Sequence, residues 1–347
     1  MSIRMRFVNR LCSLLLGFVL FAAGFLKLMD PVGAGLVVQE YFKLAGLYFL
    51  FPASKALAVI LALLETLLGT AVITGVWRRI IAWISAVLLA FFTLVTGLLL
   101  IFNPEMDCGC FGEALHLTHL QTFIKNLALC VLWTGAFLPF NRHHDAPPLR
   151  YVAQAIVTLA MLLFTFWSHL SVPPVDFTPY KPGTMLQDDS SGLSFSDADG
   201  EYCDSLLFSG KTLLVSAYDA DRMPAKRWEA VSALAADAAE YGIPVIVLVP
   251  DLSDDLSGRL TDPVILSNIY FADRKDLMTF NRSNGGLTFV EDGMIVRKWS
   301  SRAYPDSSLP SYLQDNDSSA VMVETASSSR LKLQAFLLFT FAVMLLL

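Results

Sequence analysis

The chain of 347 residues is 55% hydrophobic, above the roughly 45–50% of ordinary globular domains, and the excess falls in long blocks. That pattern indicates an integral membrane protein embedded in a lipid bilayer. A formal net charge of -6 without a basic run argues against nucleic-acid binding, and five cysteines, Cys12, Cys108, Cys110, Cys130 and Cys203, are too sparse for a disulfide-stapled scaffold.

In chain order, Arg4, Arg6 and Arg10 precede an apolar run from Leu11 to Leu26 that closes at Lys27 and Asp30-Pro31. It reads as a first membrane helix; a cleaved signal peptide is the alternative, because the basic start and Ala22-Ala23-Gly24 fit one. Val32 to Pro52 mixes apolar residues with Gln39, Glu40 and Lys43, which predicts an interfacial amphipathic helix or a partly re-entrant segment. A second span is expected over 53–74, containing Glu65, and a third over 80–102 after the basic turn Trp77-Arg78-Arg79. The following loop, 103–117, has no Lys or Arg and holds Asp107-Cys108-Gly109-Cys110-Phe111-Gly112. Thr118-His119-Leu120-Gln121 has the form of a capping box and opens a fourth span to about Phe140. Asn141-Arg142-His143-His144 closes it, with histidines that read as solvated loop residues, and a fifth span covers 151–170.

Orientation follows from the cations: Arg4, Arg6 and Arg10, then Arg78 and Arg79, then Arg142 and Arg150 alternate onto one side, which the positive-inside rule makes cytoplasmic. The Cys-x-Cys loop then faces the oxidising compartment, where disulfides persist. A Pro-rich linker from Pro173 to Gly183 leads into a polar stretch reaching about Pro305. Its pattern is a strand over 212–218, an Ala-rich helix over 224–241, a buried strand over 244–249, and a hairpin joining 287–290 to 295–299 across Glu291-Asp292-Gly293. That is an α/β layout, outside the membrane by alternation. The Ser/Asp-rich tail 307–329 reads as flexible, and the apolar 331–347 is short for a span of roughly 17–25 residues but is expected to cross.

With these elements in place, the first half resembles the MauE/DoxX group of redox-associated membrane proteins. The residues that carry this are Gly24-Phe25-Leu26-Lys27-Leu28-Met29-Asp30-Pro31, Glu65, Asp107-Cys108-Gly109-Cys110-Phe111-Gly112 and Lys125-Asn126-Leu127. The resemblance covers about Phe7 to Phe140 and implies a four-helix bundle near extracytoplasmic thiol-disulfide chemistry. MauE-type proteins are associated with maturation of a disulfide-rich methylamine dehydrogenase subunit, and DoxX-type proteins with quinone-linked oxidation of sulfur compounds. The second half is similar to a thioredoxin-like domain, through Leu193-Ser194-Phe195-Ser196-Asp197-Ala198-Asp199-Gly200 and Gly210-Lys211 running into a strand. Where that family has Cys-x-Pro-Cys this chain has Arg222-Met223-Pro224-Ala225, and Leu287 rather than Pro precedes Thr288, so this domain is expected to be catalytically silent. The expected organisation is residues 1–140 as the MauE/DoxX-like bundle, 141–170 as a fifth span, 171–306 as the extracytoplasmic thioredoxin-like domain, 307–330 as a flexible linker, and 331–347 as a terminal span. A bacterial inner membrane is the implied location.

Chemically, a Cys108–Cys110 disulfide would close a small strained ring, which is easily reduced, and Gly109 supplies the backbone freedom it needs. The N-terminus of the fourth helix, with His116 and His119 nearby, is expected to favour the thiolate. A static disulfide or two thiols in a tight turn are the structural alternatives, and a metal site with His116 and His119 as added ligands is a third. Glu65 lies near mid-bilayer, where an ionisable group is costly. It reads either as a buried ion pair with Lys27 or Lys125 that fixes helix register, or as a proton or quinone-linked site. Cys12 and Cys130 read as packing residues. The resulting expectation is a membrane accessory protein in which Cys108 and Cys110 exchange electrons with an extracytoplasmic protein thiol or disulfide. A scaffold with a structural Cys-x-Cys and a quinone-linked oxidoreductase subunit are the competing readings; the sequence has no haem, P-loop or dinucleotide motif.

Overall fold

The computed structural model describes residues 3–138, 146–186, 192–253, 256, 260, 262–304, 309, 312–313 and 317–346. The chain divides into two compact units, Met1–Ser168 with Gln334–Leu347, and His169–Leu333. Among the described residues six helices are long and apolar enough to cross a membrane: Met5–Met29, Tyr48–Thr74, Arg78–Phe102, His119–Phe137, Pro148–Leu170 and Ser318–Leu346. The chain is a multi-pass membrane protein.

The first unit is built from α1 (Ile3–Met29), α2 (Pro31–Leu44), α3 (Ser54–Thr74), α4 (Arg78–Phe102), a short β1 (Cys110–Glu113), α5 (His119–Phe137) and α6 (Pro148–Leu170). Lipid tails are as apolar as leucine, so helices in a bilayer associate through close packing, and small residues allow it. At the α1–α3 crossing a Cβ on Gly24 would fall 2.3 Å from Thr66 Oγ1, and one on Gly69 would fall 2.4 Å from the Phe21 nitrogen. The two backbones therefore touch, and α1 is the centre of the bundle, with Leu16 and Leu28 fully buried.

Asp30 caps α2 by accepting from the Gly33 N–H, with Pro31 in the first turn. At 14 residues α2 is too short to span, in keeping with an interfacial segment. At one end of the bundle three cations bind helix C-terminal carbonyls, where the helix dipole favours positive charge: Arg10 Nη1 donates to Ile73 O at 2.6 Å, Arg150 Nη1 to Thr74 O at 3.3 Å, and Arg78 to Ala136 O. Three arginines assigned to one side from sequence thus meet at one end; the turn at Arg142, His143 and His144 lies outside the described residues.

In the second unit, β2 (Lys211–Ser216), α7 (Ala225–Glu240), β3 (Val245–Val249), β4 (Ile269–Phe271), α8 (Arg274–Phe280), β5 (Gly286–Glu291) and β6 (Met294–Trp299) form a mixed sheet of order β4-β3-β2-β5-β6. β2, β3 and β4 run parallel, and β5 and β6 are antiparallel. Both faces are covered: Leu213, Val215 and Val247 pack with Val231 and Leu234 of α7, while Leu214, Ile246 and Leu248 pack with Leu277 and Phe280 of α8. Cover on both sides is why these strands read as unbroken apolar runs. The hairpin turns on Asp292 and Gly293, at φ 49° and 79°, the left-handed pair that a two-residue hairpin favours.

The last helix, α9 (Ser318–Leu346), corrects one expectation. The stretch read as a flexible linker to 330 is helical from Ser318, because Val321 is fully buried in the second unit's core and anchors the first turn. Burial outweighs the low helix preference of its serines. At its other end, within the first unit, Phe336 stacks 5.0 Å from Phe164 and Phe341 meets Phe21 at 5.2 Å.

Candidate functional site

The loop after α4 leaves the helix through Asn103, at φ 44°, and returns to α5 through a complete capping box. The Thr118 hydroxyl accepts from the Gln121 N–H, and the Gln121 side chain accepts from the Thr118 N–H. Between these ends lies the dithiol. Cys108 is 6% exposed, Cys110 is partly exposed, and the two are unlinked.

Helix α2 covers the loop. The Tyr41 hydroxyl donates to the Cys108 carbonyl at 2.9 Å, and Gly109, at φ 60°, lies so close that a Cβ there would meet Val37 Cγ1 at 2.3 Å. Glycine is thus required at 109 for two reasons, its left-handed backbone and the α2 contact.

Cys108 has a specific partner. Its Sγ lies 2.9 Å from His119 Nδ1, and His119 Nε2 lies 3.0 Å from the Pro104 carbonyl oxygen. A carbonyl can only accept, so Nε2 carries a proton; in the neutral ring Nδ1 is then the acceptor, and the Cys108 S–H donates to it. The network assigns this tautomer. Burial pushes the Cys108 thiol up, the neighbouring Thr122 hydroxyl acts against that, Cys110 and Asp107 add to the rise, and Lys125 lowers it. At Cys108 desolvation of the charged sulfur is the largest of these effects.

Beneath the loop is a cavity of about 450 Å³. It gathers five of the residues singled out from sequence, Cys108, Cys110, Glu65, Lys27 and Lys125, with Tyr41 beside them. Lys27 Nζ donates to Glu65 Oε2 at 2.6 Å, with the side chains 12% and 3% exposed, so of the two lysines considered for Glu65, Lys27 is the partner. Lys125 instead places Nζ 5.0 Å from the centre of the Phe111 ring. His116 is not part of the site; it is exposed and pairs with exposed Asp107 at 2.9 Å. Apart from Thr96 the other walls are apolar, and Leu57, Ile60, Leu64 and Phe91 among them are exposed on the outer surface of the bundle, so the cavity opens toward lipid between α3 and α4.

Among the described residues no group of three His, Cys, Asp or Glu is placed to hold a metal ion. Cys12 and Cys130 pack against the core of the bundle. In the second unit Arg222-Met223-Pro224-Ala225 leads into α7, with Arg222 exposed, Met223 buried and Pro224 at the cap, while Cys203 lies before β2. Sequence reading missed Tyr41, Thr122 and Pro104. His119 and Thr122 are i and i+3 on a capped helix and so share a face; that spacing was the available signal.

A multi-pass helical domain with a dithiol loop folded over a lipid-facing cavity is the class that fold and site define. Residues 5–140 match the family model described as Methylamine utilisation protein MauE. The matched stretch contains every residue of this site and ends before the mixed-sheet unit. The comparisons with curated proteins and with solved structures return no match.

Proposed function

We propose that this protein is a bacterial inner-membrane accessory protein of methylamine utilisation, as the family's description suggests, and that it exchanges thiols and disulfides with a partner protein outside the cytoplasm. The observation that carries the reading is the contact of Cys108 Sγ with His119 Nδ1. A buried thiol with a raised pKa is a poor nucleophile unless a base takes its proton, and His119 is oriented for that task by Pro104.

The exchange runs in two balanced steps. The partly exposed Cys110, as thiolate, attacks a partner disulfide, forming a mixed disulfide and releasing one partner thiolate. Cys108 then passes its proton to His119 Nδ1 and attacks the Cys110 sulfur. The S–S bond to the partner breaks, the second partner sulfur leaves as thiolate and takes up a proton, and a Cys108–Cys110 disulfide remains. Two electrons move from the pair to the partner; the reverse sequence oxidises the partner.

The arginine-rich end of the bundle, at Arg10, Arg78 and Arg150, supports a cytoplasmic placement of that end, with the dithiol loop and the segment between α6 and α9 outside. We read the mixed-sheet unit as a thioredoxin-like fold that binds the partner without reacting, because Arg222 and Ala225 stand where thiols would be. Alkylation of thiols in membranes with and without reductant tests the proposal. The Cys108 and Cys110 thiols are expected to change state together, and the C108S/C110S double variant to lose function while remaining folded; a double variant that behaves as wild type overturns it.

A second reading is favoured by the lipid-facing cavity of about 450 Å³: a lipid-soluble two-electron carrier such as a quinone. The apolar walls suit its ring, and Lys27 and Lys125 are cations within reach of the same space. Such a group would supply an electron acceptor for the pair when bound. Leu61→Trp, which narrows the cavity, is then expected to slow reoxidation of the pair in membranes while leaving oxidation by diamide unchanged; equal rates in both assays contradict it.

A further inference from the structure

A second cavity, of about 180 Å³, lies wholly within the mixed-sheet unit. Its charged lining is unbalanced: Lys181, Arg282, Lys298 and Arg330 face one acid, Asp176. That acid is committed, because Lys298 Nζ donates to Asp176 Oδ2 at 2.7 Å with the side chains 6% and 14% exposed, and the Thr178 N–H donates to Oδ1. Arg282 is 6% exposed. The lining therefore carries three more positive than negative charges, two of its cations are buried, and the remaining wall is apolar at Val172, Pro174, Val296 and Met322. Cations held out of water are stabilised by an anion, and a volume near six water volumes of ~30 Å³ admits a phosphate group.

The cavity's lining starts and ends close in sequence to two apolar helices. Val172 is two residues past Leu170, the last residue of α6, and Arg330 immediately precedes Leu331, where the apolar run of α9 begins. At most ~3.6 Å per residue separates Val172 from the end of α6, which keeps that wall in the headgroup layer.

We propose that this cavity binds the phosphate of an anionic phospholipid, with Lys181 and Arg330 at the rim, Arg282 and Lys298 deeper, and the apolar wall against the glycerol. The site is independent of the dithiol and of the exchange assigned to it.

The test titrates short-chain phosphatidylglycerol into the full chain in a zwitterionic detergent, following its melting temperature. Phosphatidylglycerol is expected to raise it and phosphatidylcholine not to. K181E and R330E, both at exposed positions, should each weaken the response by at least about fivefold, the equivalent of ~1 kcal/mol per charge. K226E on the exposed face of α7 changes net charge equally and should leave it intact. Equal responses to the two lipids, or equal weakening by K226E, overturn the proposal. An equal response to inorganic phosphate overturns the lipid assignment in favour of a free anion.

Discussion

Replacing Lys27 by methionine with Glu65 left in place is expected to destabilise the protein by about 3–5 kcal/mol, because it strands a carboxylate in a low-dielectric interior. The pair is 2.6 Å apart with side chains 12% and 3% exposed, so water does not replace the lost partner. Adding Glu65→Gln to Lys27→Met removes the orphaned charge and should recover most of the loss, since a paired buried charge is worth little more than a well-packed neutral pair. Denaturation in detergent micelles measures both. The double variant also separates two roles for Glu65: if the ion pair only holds α1 against α3, it folds and exchanges thiols at the wild-type rate. If Glu65 handles protons for the dithiol, it folds but reoxidises slowly. A single Lys27→Met variant as stable as wild type would contradict the buried-pair account.

His119→Gln is expected to slow closure of the Cys108–Cys110 disulfide by about 100-fold, the lower end of what a positioned base contributes. Glutamine can still donate to the Pro104 carbonyl but cannot accept the Cys108 proton. Loading Cys110 with a chromogenic aryl disulfide gives a direct readout, because attack by Cys108 releases a second equivalent of the aryl thiolate. The pH dependence has a definite sign. Burial raises the Cys108 thiol, so its thiolate is scarce at neutral pH, and in the variant the closing rate should climb through the alkaline range as bulk hydroxide replaces the missing base. The wild type, with its own base 2.9 Å away, should depend on pH less steeply over that range. Identical profiles would remove His119 from the mechanism.

The membrane spans were readable because a bilayer demands long apolar runs, and the second unit's strands because both faces of its sheet are buried. The start of α9 was not: Ser318 to Ser329 has the composition of a linker, and its helix depends on Val321 entering a core assembled from distant segments. At the site, sequence supplied Cys108, Cys110, Glu65, Lys27, Lys125 and His119 as candidates, with His116 that lies outside it, but not which lysine meets Glu65 or which thiol meets His119. Lys27 rather than Lys125 meets Glu65 because Gly17, Gly24 and Gly69 bring α1 and α3 into backbone contact, a close approach that no local pattern specifies. The inequivalence of the two thiols was equally hidden, since it arises from α2 folding over Cys108 through Tyr41.

In the proposed exchange Cys110 meets the partner and Cys108 resolves the intermediate. Non-reducing electrophoresis of membranes from cells carrying Cys108→Ser tests it most directly. The exchange mechanism predicts a reductant-sensitive adduct to another protein that accumulates in this variant and disappears when Cys110 is also replaced. Absence of any adduct, or its accumulation in Cys110→Ser instead, would contradict it.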